Sequence, residues 1–135
     1  MHTGFTEVNI PASVTSIGAG AFSGCKYLAT VTFSAGSNLT GIGNNAFNGC
    51  LALSSIEIPA GVTGIDDNAF YNCSGLTSIE IPASVTSIGN KAFFNCSNLT
   101  SITLNSNPYL GGTSVYTGGA TVTMNLKLLQ KLCDF

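Results

Sequence analysis

The sequence predicts a solenoid of stacked repeats, α/β in type, dominated by short parallel β-strands and closed at its C-terminal end by a strand plus a helix. Three observations predict it. Cys25, Cys50, Cys73 and Cys96 are separated by 25, 23 and 23 residues, and Phe22, Phe47, Phe70 and Phe93 keep the same intervals. A unit that short cannot bury its own apolar side, so it must stack on copies of itself. Each period opens on a β-branched, partly alternating segment. Charge is also scarce: Asp, Glu, Lys and Arg make up 7% of the 135 residues against 44% hydrophobic, where ~25% charged is usual.

The clearest unit, 76–98, reads L-x-x-I-x-I-P-x-x-V-x-x-I-G-x-x-A-F-x-x-C-x-x. Its apolar positions are Leu76, Ile79, Ile81, Val85, Ile88, Ala92, Phe93 and Cys96. Units 53–75, 28–52 and 5–27 repeat that register, with two extra residues within Ser34 to Asn38 in the second, and a partial fifth spans 99–104. The whole, with a cap at 105–135, makes one domain of 1–135. Within a unit, L-x-x-I-x-I suits a short strand that Pro11, Pro59 or Pro82 stops, and such strands stack as a parallel sheet at ~4.8 Å spacing. V-x-x-I-G makes a second short extended piece. Gly18, Gly43 and Gly89 are expected to turn the chain with positive φ, a role that Asp66 at the same position fills less easily. A-F-x-x-C is expected as a tight or single helical turn that drops Phe into the core, where four rings form an offset ladder.

After Asn105 the composition shifts to Asn, Gly, Ser and Thr. Ala120 to Met124 reads as a strand, and Leu126, Leu128, Leu129 and Leu132 follow at helical spacing behind a capping Asn125. This strand and helix would cover the last rung's open face. A hairpin of Ser114 to Thr117 with Ala120 to Thr123 across Gly118-Gly119 is the competing reading. No such cap precedes Phe5, which leaves the N-terminal rung a candidate for self-association.

The motif I-P-x-x-V-x-x-I-G-x-x-A-F-x-x-C resembles the BspA-like leucine-rich repeat over residues 5 to about 104. The resemblance implies a curved, right-handed leucine-rich-repeat solenoid with the L-x-x-I-x-I strands on its concave side. It also implies a cell-surface or secreted protein of mucosal microbes that binds host, matrix or cell-surface proteins.

Other chemistries find little support. With a net charge of −2, four Lys and no Arg, the chain lacks the basic footprint of nucleic-acid binding. Ser, Thr, Gly or Asn interrupts every apolar run well short of the ~20 residues of a spanning helix, and Met1 to Glu7 does not read as a signal peptide. His2, the single histidine, leaves a triad without a placed base. Gly41-Ile-Gly43-Asn-Asn-Ala46 falls inside the repeat's own turn and does not follow a strand as a phosphate loop does. Asp66-Asp67 is a solvated turn, not a calcium loop. Four thiols in line do not converge tetrahedrally as zinc requires, and they read as free, buried, small hydrophobes. Cys133, outside the ladder, is the reactive one. No cofactor is expected, and no enzyme activity. Asn38, Asn72, Asn95 and Asn98 match the glycan acceptor pattern, which an Asn- and Ser-rich turn produces by itself.

The strand positions that face away from the core carry the candidate binding surface. One column is Asn9, Thr32, Glu57, Glu80 and Thr103, and the next is Glu7, Thr30, Ser55, Ser78 and Ser101. Thr32, Ser55, Glu57, Ser78, Glu80, Ser101 and Thr103 are therefore expected to contact a protein partner through many weak hydrogen bonds. Glu57 and Glu80 are expected one strand spacing apart, roughly 5 Å, where two like charges favour a basic partner patch. That spacing resembles a retaining glycosidase's carboxylates, but an open face lacks the pocket that raises one pKa. Tyr71 and Phe94, just after the core Phe on neighbouring rungs, form a second candidate patch. Two readings compete with the protein-binding one: a carbohydrate module on the same Ser/Thr surface, which the lack of Trp disfavours, and a structural segment of a longer array.

Overall fold

The computed structural model describes residues 4–105 and 108–111, and the backbone of 121–124. The chain is a solenoid of parallel strands. β1 (Glu7–Ile10), β3 (Thr30–Phe33), β6 (Ser78–Ile81), β8 (Ser101–Leu104) and β10 (Thr121–Met124) are the longer strands. β2 (Ser16–Ile17), β4 (Gly41–Ile42), β5 (Gly64–Ile65), β7 (Ser87–Ile88) and β9 (Tyr109–Leu110) are two-residue strands on a second side. Every pairing is parallel and in the register of the repeat, for example Ile17 with Ile42, Ile42 with Ile65, and Glu80 with Thr103.

The second side is one five-stranded sheet, β2-β4-β5-β7-β9. The long-strand side is not continuous: β1 pairs with β3, β6 with β8 and β8 with β10, and segment 54–58 between them joins no ladder. The expected single sheet is therefore split at the third rung. Its neighbour, the second rung, carries two extra residues between Phe33 and Leu39 and turns through Gly36 at φ 75°. That corner departs from the geometry shared by the other rungs at the place where 54–58 would have to pair.

The core is the set of periodic positions. Phe47, Phe70 and Phe93 are fully buried, as are Leu28, Leu53, Leu76, Val62, Val85 and Ile88. No polar or charged residue is buried among the described ones, so the core has no internal charge to satisfy. The four Phe rings stack with centroids 5.2–5.3 Å apart and planes within 10° of parallel. Phe22 at the first rung has a ring neighbour on one side only and is half-buried, and Phe5 is exposed.

The A-F-x-x-C segments are tight turns, closed by bonds such as Ala46 N–H to the Gly43 carbonyl and Cys50 N–H to the Phe47 carbonyl. Each turn also donates forward to the next rung: Phe22 N–H to the Ala46 carbonyl, Phe47 to Ala69 and Phe70 to Ala92, all at 2.8 Å.

The expectation of positive φ at Gly18, Gly43 and Gly89 is not met. The left-handed residues lie two positions on, at Gly20, Asn45, Asn68 and Lys91, and again at Gly24, Gly49, Asn72 and Asn95. What Gly43 and Gly89 supply is close approach. A Cβ on Gly43 would sit 2.8 Å from the Ile17 carbonyl oxygen, and one on Gly89 would collide with the Asp67 amide, whereas Gly18 has open space. Asp66 therefore needs no left-handed backbone.

Past the fourth unit, β9 continues the second sheet beside β7, and β10 pairs in parallel with β8. The strand expected at 120–124 is present. It pairs in parallel with the solenoid rather than as one arm of the antiparallel hairpin weighed as an alternative, whose other arm, 114–117, lies outside the described residues. The helix expected to carry Leu126 to Leu132 behind Asn125, and Cys133, also lie outside them.

Candidate functional site

The outward positions of the long strands are arranged in rows. Asn9 stands beside Thr32, Glu7 beside Thr30, Ser78 beside Ser101 and Glu80 beside Thr103, because parallel in-register pairing puts equivalent residues of successive rungs side by side. Thr32, Ser78 and Glu80 are exposed, and Ser101 and Thr103 half-exposed. Ser55 and Glu57 are exposed on the unpaired 54–58 segment. The two carboxylates therefore do not face each other across a hydrogen-bonded ladder, since the segment that holds Glu57 has left the sheet. Glu80 accepts a hydrogen bond from Asn105 Nδ2 at 2.8 Å. This row surface offers hydroxyl donors and acceptors, with carboxylates at Glu7, Glu57 and Glu80.

Tyr71 and Phe94 come together with ring centroids 5.9 Å apart and planes tilted by 30°. Both are half-buried, and the Lys91 ammonium lies 5.6 Å from the Phe94 centroid. Sequence reasoning passed over a more exposed apolar pair: Tyr27 (53% exposed) and Leu51 (42%). Tyr27 stands two residues after Cys25, where later rungs carry Ala52, Gly75 and Asn98, and Leu51 one after Cys50, where later rungs carry Ser74 and Ser97; that departure from the column was the available signal.

Cys25, Cys50, Cys73 and Cys96 are free and buried. Cys50 Sγ donates to the Phe22 carbonyl at 3.2 Å, and Cys73 and Cys96 donate to those of Phe47 and Phe70 at 3.1 Å. Burial pushes the Cys50 thiol up to about 12 and that of Cys96 up to about 11, and it also raises Cys73 and Cys25. Such thiols are poor nucleophiles and poor ligands, since both roles need the thiolate. Among the described residues no three His, Cys, Asp or Glu side chains converge as metal ligands, and no helix is long and apolar enough to cross a membrane.

The BspA type leucine rich repeat region matches residues 1–119 in six copies. The fold is similar to that of a leucine-rich repeat protein from Bacteroides ovatus, with a TM-score of 0.77 and 25% identity, over 91% of this chain and 31% of that one. A leucine rich cell surface protein from Faecalibacterium prausnitzii is 42% identical with a TM-score of 0.67, over 80% of this chain and 26% of that one. A leucine-rich repeat protein of T. pallidum gives a TM-score of 0.69 at 25% identity, over 95% of this chain and 69% of that one. The chain thus spans about a third or less of the first two. No curated protein matches it.

Proposed function

The chain belongs to the BspA-type leucine-rich-repeat family, and we propose that it works as a non-enzymatic protein-interaction module of a surface or secreted protein. The observation that carries this reading is the row surface: exposed hydroxyls and carboxylates repeated at one register along the long strands. An open face of this kind binds through area and many weak hydrogen bonds rather than through a pocket. Thr32, Ser55, Glu57, Ser78, Glu80, Ser101 and Thr103 are the contact residues in this reading, and the partner is a host, matrix or cell-surface protein. The name of the Faecalibacterium prausnitzii relative, a cell surface protein, supports the location.

A pull-down from extracellular and cell-surface proteins, run beside a glycan array, tests it. Protein capture that is lost in a Ser78→Lys, Ser101→Lys double variant is the expected result. Glycan binding without protein capture would overturn it in favour of the carbohydrate reading. A second reading is favoured by length: because the chain spans 31% and 26% of two solved relatives, its rungs could serve as a structural segment of a longer array. In that case neither assay gives binding. Exposed Phe5 and half-buried Phe22 support a further contact, self-association at the first rung, which sedimentation at rising concentration checks.

A further inference from the structure

Segment 54–58, Ser-Ser-Ile-Glu-Ile, has the sequence of a strand but none of its bonds. The amides of Ser55, Ile56, Glu57 and Ile58 donate to no described residue, and the only bond to the segment's backbone is from Thr77 N–H to the Ser54 carbonyl at 3.3 Å. On one side β3 is paired with β1 alone, and on the other β6 is paired with β8 alone. A groove of about 760 Å³ opens here, bordered by Thr30, Thr32, Ser37, Ser55, Glu57 and Gly61. Its volume falls among those of ligand sites, roughly 300–1,000 Å³. Val31, Ile56 and Ile58 also line it and stay 5–8% exposed, whereas Val62, Leu76, Ile81 and Ile102 of the core are fully covered.

Backbone groups seek hydrogen-bond partners, and in this fold nearly all strand amides find them in the neighbouring rung. Successive amides of an extended segment point to opposite sides, and by the register in which Thr30 and Ser34 donate to the preceding rung, Ser55 and Glu57 turn theirs towards β3; two such amides without partners beside an open groove are a template for an added strand. Glu57 is the single charged residue among those lining the groove, and the remainder are hydroxyl-bearing, small or aliphatic apart from Phe33. We propose that the groove binds one extended segment of a basic partner polypeptide, which runs along 54–58 as an added strand and sets a lysine or arginine against Glu57. Main-chain bonds to Ser55 and Glu57 supply affinity, and the carboxylate supplies the choice of sequence. The proposal rests on the protein-interaction reading above and names the chemistry of the partner.

The probe is a nine-residue synthetic peptide of alternating Thr and Val with a central Lys, titrated into the full 15N-labelled chain. The expected result is amide shifts confined to Ser55, Ile56, Glu57, Ile58 and the facing β3 residues, with hydrogen exchange at the Ser55 and Glu57 amides slowed at least tenfold. A central Glu in place of Lys, or N-methylation of alternate peptide amides, should abolish the effect, and Glu57→Gln should weaken it severalfold. Four results would overturn the proposal. The Ser55 and Glu57 amides could exchange as slowly in the free chain as those of Ile79 and Ile102, which would mean that they are already paired. The spectrum could stay unchanged at millimolar peptide. Protection could rise with protein concentration alone, which would make a second copy the occupant. Shifts at Ser78, Glu80, Ser101 and Thr103 without any at 55–58 would reject the groove yet leave the row surface as the binding face.

Discussion

Phe47 and Phe70 stack with ring centroids 5.2 Å apart and planes 8° from parallel, and neither exposes any surface to solvent. Each ring is thus packed by its copies above and below, and the ladder ties the turns together along the stack. Phe70→Ala should cost about 3–5 kcal/mol, the usual range for emptying a buried aromatic site. Phe22→Ala should cost about half as much, because Phe22 is half-buried with one ring neighbour. Urea denaturation of the two variants checks the order.

The close approach at Gly89 predicts a second contrast. A methyl group there meets the Asp67 backbone, whereas at Gly18 it meets nothing within 4 Å. Gly89→Ala should destabilise by about 1–3 kcal/mol, as overpacking does. Gly18→Ala should be neutral or slightly stabilising, since it stiffens only the unfolded chain. Thermal midpoints of both variants decide it.

Lys91 holds a left-handed backbone at φ 57°, where earlier rungs place Gly20, Asn45 and Asn68. A side chain without a local hydrogen bond to offer costs roughly 1–2 kcal/mol there. Lys91→Gly should therefore stabilise the chain by about 1 kcal/mol, less whatever the cation–π contact with Phe94 contributes, ~0.5 kcal/mol at an exposed site. Chemical denaturation measures the balance.

The thiol ladder makes stability depend on alkaline pH. Burial raises Cys50 to about 12 and Cys96 to about 11 from the ordinary 9.0, so the folded chain keeps protons that the unfolded chain releases. Stability is then independent of these groups below about pH 9. Above it, stability falls by roughly 1.4 kcal/mol per pH unit for each thiol that ionises only on unfolding. Replacing Cys50, Cys73 and Cys96 together by Ala should flatten that slope between pH 9 and 11. In the native chain at neutral pH, the four ladder thiols should resist a disulfide reagent, and rapid labelling of Cys50 or Cys73 would contradict their burial.

The core was legible because its spacing is strict: Leu53, Leu76, Ile65, Ile88, Phe70 and Phe93 sit where the period puts them. Strand register followed from the same count, as with Glu80 beside Thr103. The turn chemistry was not legible at Gly43 and Gly89, because a glycine in sequence signals either a left-handed backbone or a close contact, and only the neighbouring rung decides which. The gap at the third rung was hidden more deeply. Ser55-Ile-Glu-Ile58 and Ser78-Ile-Glu-Ile81 are identical in sequence, yet only the second is in a ladder. They differ in the rung that precedes them: the one before 55–58 carries two extra residues, and a local pattern carries no trace of what its neighbour's corner does.

The turns donate their backbone hydrogen bonds forward, from Phe22 to Ala46, Phe47 to Ala69 and Phe70 to Ala92, and their thiols backward, from Cys50 to Phe22, Cys73 to Phe47 and Cys96 to Phe70. A column bonded in this way has a head and a tail, as an actin filament or a screw thread does. Each added rung meets the same acceptors its predecessor met, so nothing in the bonding counts rungs or says when to stop. Evolution can lengthen such a molecule by duplicating one unit, without redesigning any junction, and must encode its ends separately.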